Sequence, residues 1–299
     1  MKNILVIGCY HSLNSGVMAM AESIVQQFPE DSITILTSDQ YFKEDQKRYS
    51  QYSNVSLYSV EWFDKSISNY IRIAFGLAGV SLYPKFSDLI KEIDLVIDIS
   101  GDSISADYGT KSMFFSLFPA FLISQKAPLL YGPQTVGPFK TVLQRYLAKR
   151  AFRNSKGVFL REEVSQKYLS EININVKKSH ADLAFLLKPN SNAVELPENT
   201  VGIGVSALIK KFGKKDSEQL FKSIIDICLE RGYNVLLVTH VDTKNGSDVS
   251  FGERLKYEYY ASSEEVLFFN KNFTASEWKY VIGQCQGIIS ARMHPVVQA

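Results

Sequence analysis

The sequence predicts an α/β protein built from two Rossmann-like domains. Short, almost wholly apolar runs alternate with amphipathic stretches, as parallel strands covered by helices on both faces require. The repeated order strand, helix, strand folds into right-handed crossovers and a doubly wound sheet. The length of 299 residues, 45% hydrophobic, suffices for about two cores.

Strands are expected at NILVIG, SITILT, DLVIDIS, APLLYG and GVFLR in the first part, and at TVGIGVS, NVLLVTH, EVLFFN and GIISA in the second. Helices are expected at GVMAMAESIVQQF, TVLQRYLAKRAF and SEQLFKSIIDICLERG. In the last of these, Leu220, Ile224, Ile227 and Cys228 form one apolar stripe, and Gly232 supplies a C-terminal stop. The polar segment KPNSNAVELPENT carries two prolines and no period, and is the expected linker. It separates an N-terminal domain, residues 1–190, from a C-terminal domain, residues 200–299, with the two sheets facing each other. The second domain shows four clear strands, and PVVQA reads as a helix start without a stop, so this domain is expected to be truncated at its C-terminus.

Composition narrows the class. The net charge is +2 and the basic residues are scattered, so nucleic acid is not an expected partner. The three cysteines, Cys9, Cys228 and Cys285, lie far apart without CxxC spacing, which argues against a zinc knuckle or disulfide framework and for a reducing compartment. MKNILVIGCYHS is too short for a signal peptide. ISNYIRIAFGLAGVSLYP is interrupted by Arg72 and falls short of the about 20 residues a spanning helix needs. It reads as a buried or surface-docked helix, and the protein as cytoplasmic. No metal or cofactor is expected, because no His/Cys/Asp cluster has ligand spacing and no GxGxxG is present.

Ligands of open parallel sheets bind beyond the carboxyl ends of the strands, so the polar loops there hold the candidates. Asn14 to Gly16 precede a helix. Asn14 or Ser15 can cap it, and Gly16 lets a ligand approach its amides; a cap alone is the plainer alternative. Asp102 and Asp107 sit in the small-residue loop SGDSISADYG, where they can accept bonds from hydroxyls of a polar ligand or stand as solvated turn residues; Asp98, inside the strand, reads as structural. Arg161 follows a strand directly, with a salt bridge to Glu162 or Glu163 as the structural alternative. Arg292 and His294 end the last strand. The first offers a two-pronged donor for phosphate or carboxylate, and the second titrates near neutral pH, although a core histidine would look the same. His240 ends another strand and is expected at the ligand side. His11 lies in the first loop, and His180 reads as structural.

Taken in order, GCYHSLNSG, DLVIDISGDSISADYG, GPQTVGPF, FLREEVSQKYL, ADLAFLL and SARMHPVVQA resemble the polysaccharide pyruvyl transferase family, bacterial enzymes of cell-surface glycan synthesis. The resemblance implies an architecture like that of GT-B glycosyltransferases, with phosphoenolpyruvate as donor and a sugar with two free hydroxyls, or a lipid-linked oligosaccharide, as acceptor. Peripheral association with the inner face of the membrane would then follow. It places Arg161, Arg292 and His294 at the donor, with His240 as a further candidate. Asn14, Gly16, Gly101, Asp102, Asp107 and Gln134 would face the acceptor. The chain departs from many relatives at Val17 and Met18, where those carry acidic residues, and at SGDS, where those often carry a glycine run.

A donor with a phosphate monoester and a carboxylate calls for at least two guanidinium groups. Ketal formation also needs an acid and a base. His294 is the candidate acid and Asp102 the candidate base. The rival readings are a GT-B glycosyltransferase using a nucleotide sugar and a non-catalytic glycan-binding relative.

Overall fold

The computed structural model describes residues 1–60, 66–78, 80–123, 126–191, 194–207, 209, 217–243, 246–269 and 273–299. Asn192 and Ala193 of the expected linker lie outside the described residues. The chain forms two compact units, Met1–Ser12 with Ile24–Leu183, and Leu13–Ser23 with Ala184–Ala299. The second unit is therefore discontinuous in sequence.

The first unit begins with β1 (Asn3–Ile7), whose last four residues are buried. Helix α1 (Ser15–Gln27) is divided at Ser23, its first residues belonging to the second unit and its last to the first. Then follow β2 (Ser32–Ser38), α2 (Phe42–Tyr49), β3 (Val55–Val60), α3 (Ile67–Leu77), α4 (Pro84–Lys91), β4 (Leu95–Asp98), α5 (Thr110–Ile123), β5 (Leu129–Gln134), α6 (Val142–Arg153), β6 (Gly157–Leu160) and α7 (Glu163–Glu171). The six strands are all parallel, in the order β3-β2-β1-β4-β5-β6. Strand order reverses between β1 and β4, and such a switch point opens a crevice at the carboxyl ends. The sheet is covered by helices: Leu5, Val96, Leu129 and Tyr131 share one core with Leu117, Phe121, Leu147 and Phe152. Helix α6 starts where it does because Thr141 and Gln144 form a reciprocal capping box.

The second unit contains β7 (Thr200–Gly204), α8 (Ser217–Glu230), β8 (Asn234–Val238), the short pair β9 (Asp242–Thr243) and β10 (Gly246–Ser247), α9 (Asp248–Arg254), β11 (Val266–Phe268), α10 (Ala275–Gly283), β12 (Gly287–Ser290) and α11 (Met293–Gln298). Its main sheet is parallel in the order β11-β8-β7-β12 and reverses between β7 and β12. The stripe expected on α8 is corrected. Leu220 and Ile227 are 42% and 50% exposed, whereas Phe221, Ile225 and Cys228 are buried. The larger aromatic sets the rotation, because Phe221 packs edge-on against Phe251 at 5.5 Å. Gly232 does end α8. At φ +78° it lets Tyr233 N reach Cys228 O (3.1 Å) and its own amide reach Leu229 O (2.9 Å), a Schellman closure.

Among the described residues no helix is long and apolar enough to cross a membrane.

Candidate functional site

In the first unit, the loops after β1 and β4 meet at the switch point. Gly8 (φ +87°) makes this possible: a Cβ there would lie 2.5 Å from Ser100 N. Gly101 O accepts from Thr135 N (2.8 Å), so the loops after β4 and β5 are laced together. Arg161, directly after β6, completes the lacing. Its Nη1 donates to Asp182 Oδ2 at 2.5 Å, and its Nη2 to Thr135 Oγ1 at 2.9 Å and Gly101 O at 3.3 Å. Its side chain is 9% exposed and its Nε has no partner among the described residues. The salt bridge expected to Glu162 or Glu163 is instead made to Asp182. Glu162 is engaged by the hydroxyls of Thr135 and Ser165.

The two acidic residues of the first-unit loop differ. Asp102 is exposed and accepts from the Tyr108 hydroxyl at 2.5 Å. Burial and that carboxylate push the phenol well above its ordinary range. Asp107 forms a surface pair with Lys140 at 2.7 Å. Gln134, at the end of β5, is fully buried, and both atoms of its amide lack partners among the described residues. Buried polar atoms ordinarily find partners, and this amide keeps two donor hydrogens and an acceptor oxygen unused among the described residues. Beneath these loops Asp98 is buried beside Tyr131. Burial pushes its carboxyl up to about 7 against the opposing hydrogen bonds from Ser100.

The second-unit candidates surround the end of β12. Ser290 Oγ accepts from Arg292 N (3.0 Å), which turns the chain out of the strand. Arg292 then gives Nε to Asp248 Oδ2 (3.0 Å) and Nη2 to Asp248 Oδ1 (2.8 Å), a two-pronged pair. Asp248 is fully buried and also accepts from Ala207 N (3.1 Å), so one carboxylate ties the loops after β7 and β12 to the start of α9. The Arg292 side chain remains 19% exposed, and its Nη1 takes part in neither bond. His294, in the first turn of α11, packs against Gly16 of α1.

His240 corrects an expectation. It is 3% exposed and bonded through Nε2 to Gln298 Oε1 (2.8 Å). Burial, assisted by the charges of His294 and Arg292 and opposed by Gln298, pushes it down to about 3, so it is neutral and offers no charge to an anion. The amides at the start of α1 are also engaged: Ser15 N donates to His240 O (2.8 Å) and Gly16 N to Asn14 Oδ1 (3.0 Å). Asn14 is the cap, as its type allows, but the ligand approach expected at Gly16 is taken by His294. Asn14 and Gly16 belong to the second unit, whereas Gly101, Asp102, Asp107 and Gln134 belong to the first. His11 is half-buried and tilted over Tyr41 at 4.9 Å, with its pKa lowered by burial. His180 is exposed and edge-on to Phe159 at 5.1 Å.

Sequence reading missed Asp182 and Asp248. Each lies tens of residues from its arginine, and nothing local marks it as a partner.

UDP-GlcNAc 2-epimerase from Neisseria meningitidis, solved with UDP-GlcNAc, is similar in fold. It has a TM-score of 0.55 and 13% identity, over 98% of this chain and 78% of that one. E. coli heptosyltransferase WaaC with ADP-2-deoxy-2-fluoro heptose aligns over 100% of this chain and 85% of that one, with a TM-score of 0.44 and 14% identity. The first likeness shows the fold, two parallel sheets in an α/β chain. The family model for polysaccharide pyruvyl transferase matches residues 14–299, taking in the Gly16 helix, both arginines and His294. The chain belongs to the polysaccharide pyruvyl transferase family.

Proposed function

We propose that the protein moves the pyruvyl group of phosphoenolpyruvate onto two hydroxyls of one sugar residue, forming a cyclic ketal and releasing phosphate. The observation that carries this reading is Arg292. It is held two-pronged by the buried Asp248 with part of its guanidinium still open, two residues from a titratable imidazole. A fixed guanidinium suits a phosphate or carboxylate, because its orientation cost is met before the ligand arrives.

Donor binding is assigned to Arg292, His294 and Arg161, the last through its remaining Nε. His240 serves as a neutral neighbour. The acceptor is assigned to Asp102, Asp107, Gly101 and Gln134. His294 gives a proton to the methylene carbon of the donor, and a sugar hydroxyl oxygen bonds to the adjacent carbon. The bond from that carbon to the phosphate oxygen breaks, and its electron pair leaves with phosphate. A second hydroxyl oxygen of the same sugar then bonds to the carbon. Of the two hydroxyl protons, one restores the proton spent on the methyl group and the other departs with phosphate. Asp102, exposed and already gathering a hydroxyl, is the base.

The test is phosphate release from phosphoenolpyruvate with a panel of methyl hexopyranosides, with the ketal methyl signal followed by NMR. Arg292→Ala and His294→Ala are each expected to abolish it. Wild-type turnover in either variant removes the assignment. Consumption of UDP- or GDP-sugars without use of phosphoenolpyruvate replaces it by glycosyl transfer.

A lipid-linked acceptor would bring the protein to an anionic bilayer. Helix α3 offers a surface for this: Tyr70, Ile71 and Phe75 are 40%, 51% and 48% exposed. Lys111 lies over the Tyr70 ring and Arg72 on the same helix. Apolar side chains beside cations suit an interface with acidic headgroups. Co-sedimentation with phosphatidylglycerol vesicles is expected and should be lost in Ile71→Glu/Phe75→Glu. Equal binding by this variant rules out the surface.

A further inference from the structure

We infer that Gly16 is the seat of His294, a positioning residue whose missing side chain fixes where the imidazole stands. The inference rests on the reading of His294 as the proton donor. A Cβ on Gly16 would lie 2.3 Å from both Cγ and Nδ1 of His294 and 2.7 Å from Cε1, far inside the 3.4 Å at which ordinary contact begins. The ring therefore occupies the volume any other residue would fill.

The question is which partner would yield to a larger residue. The start of α1 is fastened to the rest of the second unit at several points. Asp242 N donates to Leu13 O (2.9 Å), Asn14 bridges to Val241, and Ser15 N donates to His240 O (2.8 Å). Nearly two turns further on, the fully buried Glu22 accepts from Ala275 N (3.3 Å) and Ser276 N (3.0 Å), closing the amino end of α10. A carboxylate at a helix amino end is held by both hydrogen bonds and dipole. A helix start tied through its backbone gives less readily than a side chain, which moves by rotating about its two torsions. The helix holds and the imidazole moves.

The wall on which His294 rests is shared with the groups beside it. The carbonyl that anchors Ser15 belongs to His240, whose ring is bonded to Gln298 in the same short helix as His294. Gly16, His240 and Gln298 thus link the start of α1 to the helix that carries His294. A displacement of about 1 Å at a reacting group can cost on the order of 10²-fold in rate.

The test uses the full chain labelled with ¹⁵N-histidine, which has four histidines, with His294→Ala to assign the His294 signals. Gly16→Ala is expected to move the imidazole signals of His294 and its titration midpoint, while those of His11 and His180 stay. With phosphoenolpyruvate and a methyl hexopyranoside, kcat should fall about 10²-fold, and KM for phosphoenolpyruvate should rise by less than kcat falls, because Arg292 is untouched. Gly16→Ala should lower Tm in the wild-type background and leave it unchanged in His294→Ala, where the ring is gone. Unmoved His294 signals, or an equal loss of Tm in both backgrounds, overturn the inference. Should Gly16→Ala fail to fold, the double variant Gly16→Ala/His294→Ala decides. Recovered cooperative unfolding supports the seat, and continued failure overturns it. Should His294→Ala turn over like wild type, the functional reading falls, while the imidazole signals of Gly16→Ala still decide the seat.

Discussion

Arg161 and Arg292 are the same residue type, each placed just after a parallel strand and each paired with a buried aspartate, yet they are spent differently. Arg161 distributes itself over Asp182, Thr135 and Gly101, keeps only Nε, and is 9% exposed. Arg292 commits Nε and Nη2 to Asp248 alone and keeps an open edge. The first is a clasp for three loops, and the second is a presented charge. The difference follows from position in the sheet. Both leave an edge strand, but β6 lies beyond β5 and β4, over whose loops Arg161 reaches back, whereas β12 adjoins β7 at the switch point, where Asp248 alone joins Arg292 to the loop after β7.

The sharpest way to break this contrast is to remove each aspartate. Asp182→Ala leaves a buried guanidinium without its partner and should destabilise the first unit by about 3–5 kcal/mol in urea unfolding. Asp248→Ala should cost less stability, because Arg292 can turn toward solvent, and should raise KM for phosphoenolpyruvate more than tenfold, about 1.4 kcal/mol. Equal stability losses with unchanged KM in both would erase the distinction between clasp and presented charge.

A second difference between the units is in their response to pH. The Asp98 carboxyl stands at about 7 through burial, above the about 4 of an exposed carboxylate. Between those values the native state holds a proton that the unfolded chain releases, so stability falls as pH rises through that window. His240 stands at about 3, again through burial, below the ordinary value of about 6.5. There the unfolded chain binds a proton that the native state refuses, so stability falls as pH drops from about 6.5. Asp98→Asn should flatten the decline toward neutrality and His240→Gln the decline toward acid, read as Tm against pH. An unaltered slope in either variant discharges that residue from the role. The smallest effect expected is for Asp107→Ala, whose exposed pair with Lys140 should matter by less than about 0.5 kcal/mol. A larger loss of turnover than of stability would return Asp107 to the acceptor.

Much of the fold was legible, because buried parallel strands are continuous apolar words. NILVIG, SITILT and TVGIGVS announce themselves by composition. The strand Val55–Val60 did not: it lies at the sheet edge, and Ser56 and Ser59 break its apolar run without a period of two, which weakens the signal. The face of α8 was misjudged by one residue, because periodicity locates a stripe only to within a neighbouring position and Phe221 outweighs Leu220. Among the candidate residues, the positions of Arg161, Arg292 and His294 just after strands were legible. Their aspartates were not, since a buried ion pair joins residues 21 and 44 positions apart. Gly16 was noticed for the wrong reason. Its amide looked open to a ligand, and only coordinates reveal an imidazole in that space.

The division of helix α1 between the units has a bearing on how the chain is made. Met18, Ala19, Met20 and Ala21 are essentially fully buried, yet they are grouped with residues 184–299, which emerge from the ribosome much later. Synthesis therefore delivers the first piece of the second unit before most of the first unit. The nascent polypeptide must shelter a greasy segment until its destination is translated, and a clone of residues 184–299 alone would lack a piece of its own interior.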